Sequence, residues 1–336
     1  MTLLPLSPRE PALRLGPFGT EAGVTLPDLR VAYRRDGPRS ASAVLVVHAL
    51  TGSADAAGDW WEPLIGPGRA LDTDGRQVIC LNLLGSCYGT TGPREVGDFP
   101  AITPRDMARA QWAALDALGI ERLDLVVGGS LGGMVALETA LERPSAVGHV
   151  MPIATPAVIS NLAAGWNHIQ LQVLALDPDR GLELARQLAM TTYRSEVDFE
   201  TRNEIGSYLE HQGVKLRQRF HAGSYAALTG AMNAHDSGRG RGGVVEAFRA
   251  LGSAGTRLTG VGIEGDILYG PRQVRALVDS ALEADVQATY RELASDKGHD
   301  AFLVEWDQLS AIMTEALDGS GAEARATRRP RVMAMP

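Results

Sequence analysis

The amino-acid sequence predicts an α/β protein: a mostly parallel central sheet flanked by helices, with a helical cap inserted between two of its strands. Three observations carry this. Short Val/Ile/Leu-rich runs alternate with stretches of helical periodicity through the first 155 residues, the pattern of parallel strands covered on both faces. From about residue 156 to 255 the strand signal disappears and only helical periodicity remains. From about residue 256 the alternation resumes. The expected organisation is a core at 1–155 and 256–320, an inserted cap at 156–255, and a flexible C-terminal tail at 321–336.

The first stretch, LRLGPFGTEAGVTLPDLRVAYRRDG (13–37), reads as an antiparallel lead-in. AVLVVHAL (43–50), QVICLNLLG (77–85), LDLVV (123–127) and GHVMPIA (148–154) read as buried strands. A helix is expected after Thr103, whose hydroxyl can cap it, with Pro104 suited to the first turn and Asp106 at its positive end. GGMVALETALER (132–143) continues the helical pattern. In the cap, NLAAGWNHIQLQVLALD, RGLELARQLAMTTYRSE and KLRQRFHAGSYAALTGAMNAHD are helical, and DSGRGRGGV reads as a flexible exit. TRLTGVGIEGDILYG (256–270), a helix from Pro271 to about Glu283, VQATYREL (286–293) and a last helix from about Ala301 to Leu317 complete the pattern.

Composition narrows the function classes. The 336 residues carry a formal charge of −8, which argues against nucleic acid or an anionic membrane as partner, since both reward clustered cations. The one dense basic stretch, Arg325, Arg328, Arg329 and Arg331, falls in the tail. No basic start precedes an apolar core, and no run of about 18 apolar residues could span a bilayer, so a cytoplasmic protein is expected. Two cysteines, Cys80 and Cys87, are too few for a disulfide framework or a zinc site. Cys87 has no activating partner nearby in sequence.

Chemistry concentrates in LDLVVGGSLGGMVALETA (123–140). Gly128-Gly129-Ser130-Leu131-Gly132 fits GxSxG between a strand and a helix, where a tight bend lifts the serine oxygen above the sheet edge. A phosphate-cradling loop would need a lysine or a GxGxxG spacing, and neither is present. An ordinary βα turn with a filler serine would look similar, so the partners decide. A serine nucleophile needs a base, and the base an orienting carboxylate, in the chain order Ser, Asp or Glu, His. Asp266 follows the strand LTGVGIEG, and His299 lies in SDKGHDAF after the last strand. Glu264 and Asp296 are alternative orienting groups. Of the seven histidines, His48, His149, His168, His211, His221 and His235 fall too early or in the cap, leaving His299. Donors for a developing oxyanion are expected from the amide of Leu131 and, in the loop after the first buried strand, the amide of Leu50.

With these residues in place the chain resembles the homoserine O-acetyltransferase family of the α/β-hydrolase fold. The resemblance runs from about residue 43 to 306 through HALTGS, GDWWEPLIGPGRALDTD, VICLNLLGSCYGTTGP, DFPAITPRDMARAQ, GGSLGGMVALE, LARQLAMTTYRSE and GHDAFLVE. It implies a ping-pong transfer from acetyl-CoA as co-substrate, through an acyl-Ser130, to the hydroxyl of L-homoserine, with His299 as base and Asp266 orienting it. It further implies that Arg186 and Asp300 hold the acceptor's carboxylate and ammonium, and that the protein is a homodimer joined through the cap. No metal and no bound cofactor are implied. The chain departs from the family pattern at 175–181, where it is shorter, around Leu171, where an arginine is common, and at Ser86. Many acetyl-transferring members have glycine at that last position, and related succinyl-transferring enzymes share the serine. Homoserine O-succinyltransferase is therefore the first alternative, a carboxylesterase of the same fold the second, and a catalytically silent scaffold the third.

Overall fold

A computed structural model describes residues 12–318. Eight strands form its main sheet: β1 (Ala12–Arg14), β2 (Arg30–Asp36), β3 (Ser42–Val47), β4 (Arg76–Leu81), β5 (Leu125–Gly129), β6 (His149–Ile153), β7 (Arg257–Ile263) and β8 (Ala288–Leu293). Their spatial order is β1-β2-β4-β3-β5-β6-β7-β8. β2 runs antiparallel to both β1 and β4; β4, β3, β5, β6, β7 and β8 pair in parallel. The expected antiparallel lead-in is the pairing of β1 with β2 and of Phe18–Gly19 with Thr25–Leu26. The tail and its four arginines lie outside the described residues.

Period-two alternation explains why the strands are apolar throughout. Along β3, Ala43, Leu45 and Val47 pack into one hydrophobic cluster while Val44 and Val46 pack into another on the opposite face. On the first face lie α1 (Pro104–Ala117) and α2 (Leu131–Glu142). The second is covered by Ala56–Leu64, which brings Trp61, and by the C-terminal helix α10 (Trp306–Asp318). Helix α1 starts as the sequence predicts: the Asp106 amide donates to the Thr103 hydroxyl at 3.1 Å and the Thr103 amide to the Asp106 carboxylate at 3.0 Å, satisfying two otherwise orphaned donors. The last helix differs from expectation: a helical turn at Gly298–Leu303 ends at Val304, whose φ of −137° leaves the helical region, and α10 begins only at Trp306.

Between β6 and β7 come α3 (Asn161–Leu176), α4 (Pro178–Tyr193), α5 (Glu196–Glu200), α6 (Ile205–Arg217), α7 (Ala222–Asn233) and α8 (Val244–Ala254). Helices α3, α4, α6 and α7 pack on one another. Helix α8 does not join them. It packs on α2 and on α9 (Pro271–Glu283), so the helical stretch read as an insertion up to residue 255 ends in a helix that flanks the sheet. DSGRGRGGV is not a flexible exit either. Arg241 pairs with Glu138 and Glu142 at 2.8 Å each, and Arg239 with Glu21 at 2.7 Å, tying the segment to α2 and to the lead-in. No helix among the described residues is long and apolar enough to cross a membrane.

Candidate active site

Ser130 sits between β5 and α2 with φ 58° and ψ −125°, a region that L-residues rarely occupy and that marks a strained turn. None of the four glycines around it has positive φ. They serve close approach instead: a Cβ on Gly132 would lie 2.3 Å from the Val47 carbonyl oxygen, and one on Gly128 would lie 2.5 Å from the Gly132 carbonyl. The turn is thus held against the end of β3 and the strain falls on the serine alone. Its backbone is pinned, the amide donating to Ile153 O at 2.9 Å and the carbonyl accepting from the Thr155 hydroxyl at 2.9 Å, while its side chain caps nothing.

Asp266 follows β7 and His299 follows β8, so the three groups converge at the C-terminal ends of parallel strands. Asp266 Oδ1 accepts from the amides of Leu268 (2.8 Å) and Tyr269 (3.1 Å), which leaves Oδ2 for His299 Nδ1 at 2.7 Å. A carboxylate only accepts, so Nδ1 carries the proton and Nε2 keeps its lone pair. Nε2 is buried and has no hydrogen-bond partner. Rings of Tyr193, Tyr269 and Phe302 surround the imidazole with centroids 5.5–5.8 Å away. Burial alone would lower the His299 pKa, but the Asp266 charge and hydrogen bond, with Asp300 behind them, outweigh it and hold the value above the ordinary 6.5. Asp296 pairs with Lys297 at 3.0 Å, and Glu264 is exposed, so neither alternative carboxylate orients the imidazole.

Leu50 lies in the loop after β3, where His48 governs the backbone. The Leu83 amide donates to His48 Nε2 at 2.9 Å, so the proton of this buried neutral ring is on Nδ1, which donates to the Ala49 carbonyl at 2.8 Å. Burial pushes the His48 pKa down to about 4, keeping the ring neutral. The Gly52 amide donates to the same carbonyl at 3.0 Å. Across a trans peptide the N–H opposes the C=O, so fixing the Ala49 carbonyl turns the Leu50 N–H away from His48. Leu131, the first residue of α2, has an amide with no intrahelical acceptor.

Ala49, Leu50, Thr51, Ser130, Arg186, Tyr193, His299, Asp300, Phe302 and Leu303 line one cleft of about 70 Å³. The structure therefore brings together the sequence-selected Ser130, His299, Leu50, Arg186 and Asp300, with Asp266 behind His299. Arg186 forms an ion pair with no carboxylate among the described residues and lies over the Tyr193 ring at 5.4 Å. Asp300 lies 3.2 Å from Arg194. Tyr193, Thr51 and Arg194 were not singled out in the sequence; the seven-residue spacing from Arg186 to Tyr193, two helical turns, was the available signal. Cys87 is buried, and burial pushes its thiol up to about 11, far from a reactive thiolate. His149 and His235 are buried and bonded to Thr259 and Pro156, and His221 caps α7.

A strained serine at a strand-to-helix elbow, with a carboxylate-oriented histidine from later strand ends, defines an α/β hydrolase-fold protein, and a family model for the alpha/beta hydrolase fold matches residues 42–203. Homoserine O-acetyltransferase of Thermus thermophilus is 42% identical over 360 aligned residues, covering 93% of this chain and 93% of that one. The crystal structure of homoserine O-acetyltransferase from Staphylococcus aureus superposes with a TM-score of 0.84 at 29% identity, covering 95% and 97% of the two chains. The chain belongs to the homoserine O-acetyltransferase family. Esterase E22 shares the fold alone, with a TM-score of 0.86 at 20% identity over 92% of this chain and 99% of that one.

Proposed function

We propose that the protein transfers an acetyl group from acetyl-CoA to the hydroxyl of L-homoserine through an acyl-Ser130 intermediate. The observation that carries this reading is the single cleft in which Ser130 and the free Nε2 of His299 meet a cation, Arg186, without an ion-pair partner among the described residues, and an anion, Asp300. A hydrolase needs only the first two; an acceptor bearing both a carboxylate and an ammonium uses all four.

In the first half-reaction His299 Nε2 takes the Ser130 proton as Oγ attacks the thioester carbonyl. The oxyanion is held by the amides of Leu50 and Leu131, and the thiolate leaves as CoA with the proton from His299. In the second, His299 takes the proton of the acceptor hydroxyl, which attacks the acyl-serine, and the proton returns to Ser130 Oγ as the ester product departs. The long donor approaches through a neighbouring groove of about 650 Å³ that shares Thr51 with the serine cleft; its wall carries Lys215 and Arg219, cations suited to an anionic tail, together with Asp55 and Asp59. Arg219 also donates to the Thr51 carbonyl at 2.7 Å and the Tyr88 hydroxyl at 2.9 Å, bracing the loop that carries Leu50. Leu162, Ile169 and Leu176 form an exposed apolar stripe at seven-residue spacing on α3, which supports the homodimer through the cap; a monomer by analytical ultracentrifugation would contradict that part.

Because His299 works as a base only when neutral and its pKa is raised, kcat/KM is expected to fall as pH drops, along an acid limb lying above 6.5. A rate that stays flat down through that value would exclude His299 as the base. Arg186→Ala should raise the homoserine KM roughly ten- to a hundredfold, the cost of a lost charge-assisted contact, with little change in the thioester KM. Equal effects on both constants would remove Arg186 from the acceptor site.

The test of the reading is CoA release from acetyl-CoA and, separately, from succinyl-CoA, each with and without L-homoserine, with the product identified by mass. Homoserine-dependent release from acetyl-CoA is expected. Preference for succinyl-CoA would reassign the donor, and release indifferent to homoserine would reassign the protein as an esterase.

A further inference from the structure

Arg186 and Asp300 pose an electrostatic problem. They carry opposite charges and line the same small cleft, both partly buried, where water screens less than in bulk and attraction is correspondingly stronger. Left to themselves they would pair and neutralise the two ends of the site. Two contacts oppose this. Arg194 Nε stands 3.2 Å from Asp300 Oδ2, and the contact is an ion pair without an aligned hydrogen bond, so it holds the carboxylate by charge while its lone pairs stay open. The Arg186 guanidinium is drawn instead to the face of Tyr193, at 5.4 Å.

Arg194 is itself firmly seated. It directly follows α4, and its backbone presses on the loop that carries His299: a Cβ on Gly298 would fall 2.6 Å from Ser195 N and 2.9 Å from the Arg194 carbonyl carbon. The Ser195 hydroxyl bonds to the Asp296 carbonyl, and Lys297 Nζ lies 3.4 Å from Asp198 Oδ1. Arg194 Nη1 reaches the same Asp198 at 3.9 Å, so the guanidinium is suspended between two carboxylates that it keeps apart.

We propose that Arg194 is a positioning residue for the amino-acid acceptor: by pairing with Asp300 it keeps that carboxylate off Arg186, so that the cleft presents a separated cation and anion matched to a zwitterion. The proposal rests on reading Arg186 and Asp300 as acceptor groups. It makes Arg194 act through Asp300, touching neither the thioester nor the reacting oxygen.

A double-mutant cycle tests it. Arg194→Gln, Asp300→Asn and the double variant are compared in two half-reactions: burst acylation by acetyl-CoA without acceptor, and steady-state transfer to L-homoserine. Arg194→Gln is expected to raise the homoserine KM about tenfold or more and to leave the acylation burst unchanged. In the Asp300→Asn background the same substitution should add little, because its target is gone. Arg194→Lys should give a smaller increase that also vanishes in that background, and it carries the comparison if thermal melts show that the Gln variant does not fold. Multiplicative KM effects, an unchanged homoserine KM in a folded Arg194→Gln, or an equal loss in the acylation burst would overturn the proposal. A wild-type protein that acylates but never uses homoserine would instead overturn the functional reading beneath it.

Discussion

Ser130→Ala is expected to leave a folded protein that transfers no acyl group. The Ser130 side chain caps no helix and the turn is held by backbone bonds to Ile153 and Thr155, so removing one oxygen takes away the nucleophile without touching what shapes the elbow. The melting temperature should therefore stay within a few degrees of wild type. By analogy with other serine triads, kcat should fall about a million-fold, to whatever rate the cleft supports by binding alone. Intact-protein circular dichroism together with CoA release separates the two effects. Retained turnover in a folded variant would remove Ser130 from the mechanism.

Asp266→Asn should cost about ten thousandfold in kcat through the tautomer of His299. Asparagine fits the same space, and its carbonyl oxygen can accept the Leu268 and Tyr269 amides as Oδ1 of Asp266 does. Its amide then meets His299 Nδ1 as a donor, which forces the imidazole proton onto Nε2, the nitrogen that must receive the serine proton. The loss of the Asp266 charge also removes the main influence holding the His299 pKa above its ordinary value, so residual activity should show its acid limb at lower pH. A variant with full activity, or one whose acid limb stays in place, would show that another group orients the base.

How much of this was legible beforehand follows from the range of the interactions. Strand runs such as AVLVVHAL and the Thr103–Asp106 capping box are local, and they appear where the sequence predicts. Chain order and loop position were enough to select Asp266 and His299, because strand ends in a parallel sheet converge on one edge. The purpose of the glycines was only half legible. Two pairs of them flanking Ser130-Leu131 suggest a tight bend, whereas Gly132 is needed because α2 approaches the Val47 carbonyl, a contact between segments some 85 residues apart. Helix α8 could not be assigned to cap or core from its own amphipathic pattern, since periodicity gives a face but not what the face meets. The GRGRG segment looked loose because Gly and Arg are locally flexible; its order comes from Glu21, Glu138 and Glu142, all far away in sequence. Arg194 escaped notice for the same reason: an ion pair between the cap and the histidine loop leaves no local signature.

Ping-pong transfer requires an acyl group resting on Ser130 between two substrates. The most direct measurement is the mass of the proteolytic peptide containing Ser130 after incubation with acetyl-CoA alone, and again after a chase with L-homoserine. One acetyl group on that peptide, discharged by homoserine with an equal amount of acetylated homoserine formed, is the predicted result. CoA release that requires both substrates at once, with no acylated peptide at any time, would contradict it.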